Sequence, residues 1–204
     1  MTKVLCFGDS ITYGYMPGGA GRFDAGARYS GLLSGLLGSD WQVFEDGVCG
    51  RTTIFRGYFP AGIDEIAAAV RRCRAAAVVL QLGSNDCMSC YGAGAESIAG
   101  GMRELAAAAK EAQPGVRALF CAPPAIRVEA LRAWNFMDET SISTAAKLPA
   151  AYKRAALESC CGFADANGAG PADPADGVHL NASGHLMLAQ LLAAELKAMA
   201  ACDK

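Results

Sequence analysis

Short apolar runs alternate along the chain with longer stretches of helical spacing. Residues 3–7 (Lys-Val-Leu-Cys-Phe) read as a first strand and residues 41–44 (Trp-Gln-Val-Phe) as a second. Residues 77–82 (Ala-Val-Val-Leu-Gln-Leu) are apolar except for Gln81, the pattern of a strand buried on both faces. Residues 116–121 show the same pattern ahead of Pro123-Pro124, and residues 162–166 predict a short last strand. Between these runs the spacing predicts helices over 28–37, closed by Gly38, and over 64–73, with Asp64 as the capping residue. Further helices are predicted over 96–111, stopped near Pro114, over 144–159, with a break or start near Pro149, and over 183–201. This β-α-β-α order predicts an α/β protein with a parallel sheet and helices on both faces. No internal repeat and no linker interrupts it. The Gly/Pro-rich stretches 16–26 and 168–174 read as loops, so residues 1–204 are expected to form one domain.

Composition narrows the class without changing this picture. Hydrophobic residues make up 52% of the chain and charged residues 19%, which places it among globular rather than disordered proteins. The net charge of -2 and the lack of a Lys/Arg block argue against a nucleic-acid partner. No apolar run approaches the ~18 residues of a membrane span. The run 4–7 is too short, and too soon followed by Gly8-Asp9, for a secretion signal, so a cytoplasmic location is expected. The nine cysteines include Cys6 and Cys121 in strand patterns and Cys73 and Cys160 in helical ones, and they read as free thiols acting as small hydrophobes. Cys87 and Cys90 have metal-ligand spacing, but no second pair or nearby His completes a tetrahedral site. No metal is expected.

The polar motifs follow the predicted strands, and in open parallel sheets the working groups gather at the carboxyl ends of the strands. After the first strand comes Gly8-Asp9-Ser10-Ile11-Thr12. A serine on a sharp turn at the sheet rim can present its hydroxyl there, although Asp-Ser is also a common helix cap. Near the end stands Asp176-Gly177-Val178-His179-Leu180-Asn181. A serine hydroxyl needs a base, usually His, and that base needs a carboxylate to orient it. Asp176 lies within one turn of His179. The alternative for His179 is a packed structural histidine ahead of an Asn181 N-cap. His185, in the first turn of the last helix, reads as structural. After the third strand, Gly83-Ser84-Asn85-Asp86 offers an Asn85 side-chain donor. After the second, Asp46-Gly47-Val48-Cys49-Gly50-Arg51-Thr52-Thr53 could turn the Gly50 N–H to the same point. Such donors hold a developing oxyanion.

The four blocks together resemble the SGNH hydrolases, also called the GDSL esterase/lipase family. The matching residues are Ser10, Gly50, Asn85 and His179, with Asp176 as the acid of the triad. Order and spacing fit along nearly the whole chain, and Ile11 in place of the usual Leu is a mild departure. The Gly-x-Ser-x-Gly elbow of the α/β-hydrolases is absent. The resemblance implies a three-layer α/β/α sandwich with about five strands in a flavodoxin-like arrangement. It further implies ester hydrolysis through an acyl-enzyme, with Ser10 N–H, Gly50 N–H and Asn85 as the oxyanion hole and no cofactor.

The segments Phe7 to Tyr15, Arg28-Tyr29 and Gly50 to Thr53 look like the arylesterase/acyltransferase branch. That likeness implies small acyl esters, often acetyl, as substrates, an alcohol able to replace water, and a homo-oligomer. Asp9, Tyr13, Arg51 and Trp134 are the candidate substrate-binding residues; Tyr13, Tyr15 and Arg51 are placed either at the entrance or in core or surface packing. The loop 122–145, with Arg127, Trp134, Phe136 and Met137, is expected to form a pocket wall or a subunit contact, with ordinary core filling as the alternative. The rival readings are a sugar O-acetyl esterase, a thioesterase or lysophospholipase of the same mechanism, and a non-catalytic binding module on the same fold.

Overall fold

A computed structural model describes residues 1–19 and 21–201. Ala20, in the expected loop 16–26, and residues 202–204, at the end of the expected domain, lie outside the described residues. Five parallel strands form one sheet in the order β2-β1-β3-β4-β5. They are β1 (Thr2–Gly8), β2 (Trp41–Gly47), β3 (Ala77–Gln81), β4 (Arg117–Ala122) and β5 (Gly162–Asp165). The register aligns Gly8 with Gly47 on one side and with Gln81 on the other, and Gln81 with Cys121. The carboxyl ends of the strands therefore share one rim.

The period-two alternation of the strands sends side chains to two cores. Leu5, Phe7, Val78, Leu80 and Phe120 pack on one face against α3 (Ile66–Cys73), α4 (Ala95–Ala112) and α7 (Leu148–Glu158). Val4, Cys6, Val79, Leu119 and Cys121 pack on the other against α2 (Tyr29–Leu37) and α8 (Ala182–Ala201). This is the expected α/β/α sandwich. Full burial of one such Leu, Val or Phe side chain contributes roughly 1.5–3 kcal/mol, so the central strands can be apolar on both faces. Among the described residues no helix is long and apolar enough to cross a membrane.

Several boundaries differ from the pattern-based expectation, each for a local reason. Strand β2 runs on through Glu45 and Asp46 because arginines satisfy both carboxylates: Arg22 and Arg28 reach Glu45, and Arg51 and Arg72 reach Asp46. Asp64 does not cap α3, since its carboxylate accepts from Arg56 Nε at 3.0 Å and the helix begins two residues later. The stretch 144–159 is two helices, α6 (Glu139–Ala145) and α7. Pro149 falls at the start of α7, where a missing N–H costs nothing. A capping box between Asp138 and Ser141 starts α6 inside what reads as a loop. Two short helices, α1 (Ser10–Tyr13) and α5 (Ala130–Ala133), are also unforeseen.

The cysteines divide. Cys6, Cys73, Cys87 and Cys121 are buried free thiols, and burial pushes the Cys6 thiol up to about 12. Cys49, Cys90 and Cys160 are exposed, and Cys161 is half-buried. Cys160 is not a helical core residue, because α7 has ended and the chain turns there with φ 51°. Cys202 lies outside the described residues.

His185 is fully buried between Phe23 and Tyr29, and its Nδ1 accepts from the Tyr29 N–H at 3.3 Å. Burial, then the neighbouring His179 and Arg28, lower its pKa from 6.5 to about 4. The unfolded chain therefore binds this proton more readily. The stability held by neutral His185 is fully present above about pH 6.5 and drains as pH falls toward 4. Urea unfolding of the wild type and of His185→Gln is expected to show a difference that shrinks over that window by on the order of 2–3 kcal/mol. A pH-independent difference would be the contrary result.

Candidate active site

Ser10 reaches the rim because the chain turns sharply out of β1. A Cβ on Gly8 would lie 2.0 Å from Thr12 Oγ1 and 2.5 Å from the Gln81 carbonyl oxygen, so only glycine fits. Asp9 caps α1, its carboxylate accepting from the Ile11 N–H at 2.9 Å. Gly14 closes the same helix in the left-handed region with φ 84°. Ser10 is the first residue of this single turn, with its side chain at the edge of a cleft.

The turn before α8 supplies the other partners. His179 Nε2 is 2.8 Å from Ser10 Oγ, and His179 Nδ1 is 2.8 Å from Asp176 Oδ2. Asp176 Oδ1 accepts from the N–H groups of Val178 and His179, and Oδ2 also accepts from Gly18 N–H at 3.1 Å. Burial alone would raise the Asp176 carboxyl. The bonds from the His179 ring and backbone and from Val178 outweigh it and bring the carboxyl down to about 2. Asp176 is thus ionised wherever the fold is intact near neutral pH. Gly177, at φ 73°, lets the turn lie flat on α5, where a Cβ would sit 2.4 Å from Ala130 N. Asn181 caps α8 through the Gly184 N–H at 3.0 Å.

The two remaining blocks meet beside Ser10. Gly50 has φ 82°, and a Cβ there would lie 2.3 Å from the Phe59 ring. Glycine is therefore required both for the backbone and for the packing. Asn85 follows β3 in a short 3₁₀ turn, and its Nδ2 donates to the Arg51 carbonyl at 3.0 Å. A side-chain amide carries two N–H donors, so one N–H holds the group in place and the other is free for the cleft.

The cleft has a volume of about 350 Å³. Ser10, Gly50, Asn85 and His179 form its polar floor, and Tyr15, Phe59, Met88, Trp134, Phe136 and Met137 its walls. The loop 122–145 thus contributes a pocket wall, one of the roles expected of it, while Arg127 pairs with Glu129. Cys49, Phe59 and Met88 went unforeseen. Each lies within nine residues of Gly50 or Asn85 in sequence, and no residue-type signal marks it as pocket lining.

Three expected substrate-binding residues are elsewhere. Asp9 is fully buried beneath Ser10, and burial first of all pushes its carboxyl up to about 7. Tyr13 packs under the Arg22 guanidinium, 4.4 Å from its ring centroid. Arg51 is 1% exposed and fully engaged: it donates to the Gly8 and Asp46 carbonyls, pairs with Asp46 and Glu65, and lies 4.0 Å over the Phe7 ring. Of the candidates, Trp134 and Tyr15 do line the cleft. Among the described residues no group of three or more His, Cys, Asp or Glu side chains could hold a metal ion.

Comparison with known proteins identifies the family and the fold. The model of the GDSL-like Lipase/Acylhydrolase family matches residues 6–187. The chain belongs to that family. Membership makes it an SGNH hydrolase, and solved structures of the fold superpose over almost its full length. The aryl esterase of M. smegmatis is 25% identical, covers 97% of this chain and 99% of its own, and superposes with a TM-score of 0.89. Est24, a carbohydrate acetylesterase from Sinorhizobium meliloti, is 25% identical over 98% and 100% of the two chains, with a TM-score of 0.90. A putative arylesterase from Agrobacterium tumefaciens is 30% identical over 97% and 99%, with a TM-score of 0.87. No curated protein matches the SGNH hydrolase by sequence.

The buried Arg51 generates a prediction for this hydrolase. Arg51→Met would leave two carbonyls and the Oδ1 of Asp46 without their partner, with Arg72 still on Oδ2, and is expected to cost about 3–5 kcal/mol in urea unfolding. Unaltered stability with a raised KM would instead return Arg51 to substrate binding.

Proposed function

We propose that this SGNH hydrolase cleaves short-chain carboxylic esters, acetyl esters above all, through an acyl-enzyme on Ser10. The observation that carries the reading is the continuous chain of 2.8 Å contacts from Ser10 through His179 to Asp176, opening on a floor that also holds Gly50 and Asn85. In the first half, Ser10 Oγ attacks the ester carbonyl carbon and its proton passes to His179 Nε2. Asp176 fixes the ring with Nδ1–H toward the carboxylate and stabilises the positive imidazolium. The Ser10 and Gly50 N–H groups and Asn85 Nδ2 receive the oxyanion. The tetrahedral intermediate collapses, the carbon–oxygen bond to the alcohol breaks, and His179 returns its proton to that alcohol. In the second half water attacks the acyl-serine by the same route, releasing the acid and restoring Ser10. An alcohol in place of water gives a new ester, which is acyl transfer.

Cleft size and lining support small esters with an apolar or aromatic alcohol over long-chain lipids, since about 350 Å³ of largely apolar space is at the small end for ligand pockets. A second reading, a sugar O-acetyl esterase, draws on neighbours described as carbohydrate acetylesterases, one of them 29% identical with a TM-score of 0.91. The free thiols of the described residues suit a reducing compartment such as the cytoplasm.

Ser10→Ala is expected to abolish turnover of p-nitrophenyl acetate and labelling by a fluorophosphonate probe, and activity near that of the wild type would remove Ser10 from its role. Asn85→Ala is expected to lower kcat by roughly 10²–10³, whereas a change confined to KM would make Asn85 a ground-state contact. A panel running from aryl acetates to palmitate esters and acetylated sugars then separates the two substrate classes.

A further inference from the structure

Two loops far apart in sequence converge on the His179–Asp176 pair. From the segment after α1, the Tyr15 ring lies against the imidazole with centroids 4.5 Å apart and planes tilted by 38°. Three residues on, Gly18 N–H donates to Asp176 Oδ2. From the segment after α5, the Trp134 ring meets His179 edge-on at 5.6 Å and 67°. Trp134 Nε1–H donates to the Asp176 carbonyl at 3.1 Å. The Arg127 N–H adds a bond to the Gly177 carbonyl at 2.9 Å, so the segment around α5 is sewn to the turn that carries both groups. Tyr15 and Trp134 also approach one another, with centroids 6.3 Å apart. The imidazole thus has one aromatic ring lying against it and a second meeting it edge-on from an adjoining direction, in addition to its two hydrogen bonds.

We propose that Tyr15 and Trp134 are positioning residues, an aromatic bracket that holds the His179 ring in line between Ser10 and Asp176. This rests on the reading of His179 as the base. Two hydrogen bonds at opposite ring nitrogens define an axis but leave the imidazole free to rock about it. Contacts against its faces and edges remove that freedom. The requirement is demanding, because a base displaced by about 1 Å can cost 10²-fold in rate. Ser10 and Asp176 hold the imidazole nitrogens, and Asp173 N–H donates to the His179 backbone carbonyl at 2.7 Å. These bonds act on the ring nitrogens and the backbone, whereas the two aromatic rings act on its face and edge. Trp134 acts twice, through its ring on the base and through its N–H on the backbone of the acid.

Tyr15→Leu and Trp134→Leu are each expected to lower kcat for p-nitrophenyl acetate by roughly 10–100-fold. They are also expected to weaken or broaden the downfield proton resonance of the His179 Nδ1–H to Asp176 bond. Tyr15→Phe and Trp134→Phe keep a ring and are expected to recover most of the kcat loss, although Trp134→Phe falls short because its N–H is gone. Phe136→Leu, which alters the cleft wall without a contact to His179, is expected to act mainly on KM and to leave the resonance in place. Thermal melts of each variant identify any that fail to fold, and for such a position the Phe variant alone decides, by its resonance and kcat. The proposal is overturned if the Leu variants keep the wild-type kcat and resonance, or if they change KM alone as Phe136→Leu does. Should Ser10→Ala remain active, the esterase reading itself falls. If Ser10→Ala is inactive and the Leu variants match the wild type, only the bracket falls.

Discussion

One buried guanidinium fastens the parts of this site to each other. Arg51 lies under the rim, over the Phe7 ring, and binds the last carbonyl of β1, the Asp46 carbonyl and carboxylate on β2, and Glu65 ahead of α3. Its own carbonyl takes the Asn85 amide. The blocks containing Ser10, Gly50 and Asn85 come from three strands, yet each is one or two bonds away from this residue. A charge taken out of water is tolerated only when its partners are complete, so the guanidinium holds the neighbouring backbone to one arrangement. The proposed oxyanion role of Gly50 and Asn85 depends on that fixity, since such donors stabilise charge only when already aimed at where it will appear.

Around that tie, frame and walls have separate tasks. The parallel sheet delivers every strand end to one rim, and glycines at positions 8, 50 and 177 admit close backbone approaches that no side chain would allow. The cleft walls come mainly from loops, Phe59 before α3 and Trp134 to Met137 after α5. Wall and floor thus draw on different segments of the chain, and the same fold occurs in neighbours described as an aryl esterase and as a carbohydrate acetylesterase.

The sheet was readable because its central strands are buried on both faces, which forces unbroken apolar runs such as 77–80. The positions of Ser10, Asn85, Asp176 and His179 were readable because few residue types can supply such groups, and each stands just beyond a strand or ahead of the last helix. What escaped depends on where a side chain points and what it meets across the chain. Arg51 looks like a cleft residue until its partners at 8, 46 and 65 are brought around it. The end of β2 looks like loop because Glu45 and Asp46 are charged, and only the arginines at 22, 28, 51 and 72 make an edge strand of them. Tyr13 and Tyr15 are both tyrosines after the same turn, but the first faces Arg22 and the second faces His179.

Ser10 and His179 stand 169 positions apart. A ribosome therefore releases the hydroxyl long before the imidazole that meets it exists. Until the last turn has docked across the finished sheet, Ser10 is an ordinary alcohol and a weak nucleophile. In the proposed reaction a nascent or partly unfolded chain is therefore chemically quiet toward esters. On that reading the long separation acts as an interlock, in which reactivity arrives together with the walls that restrict what can reach it.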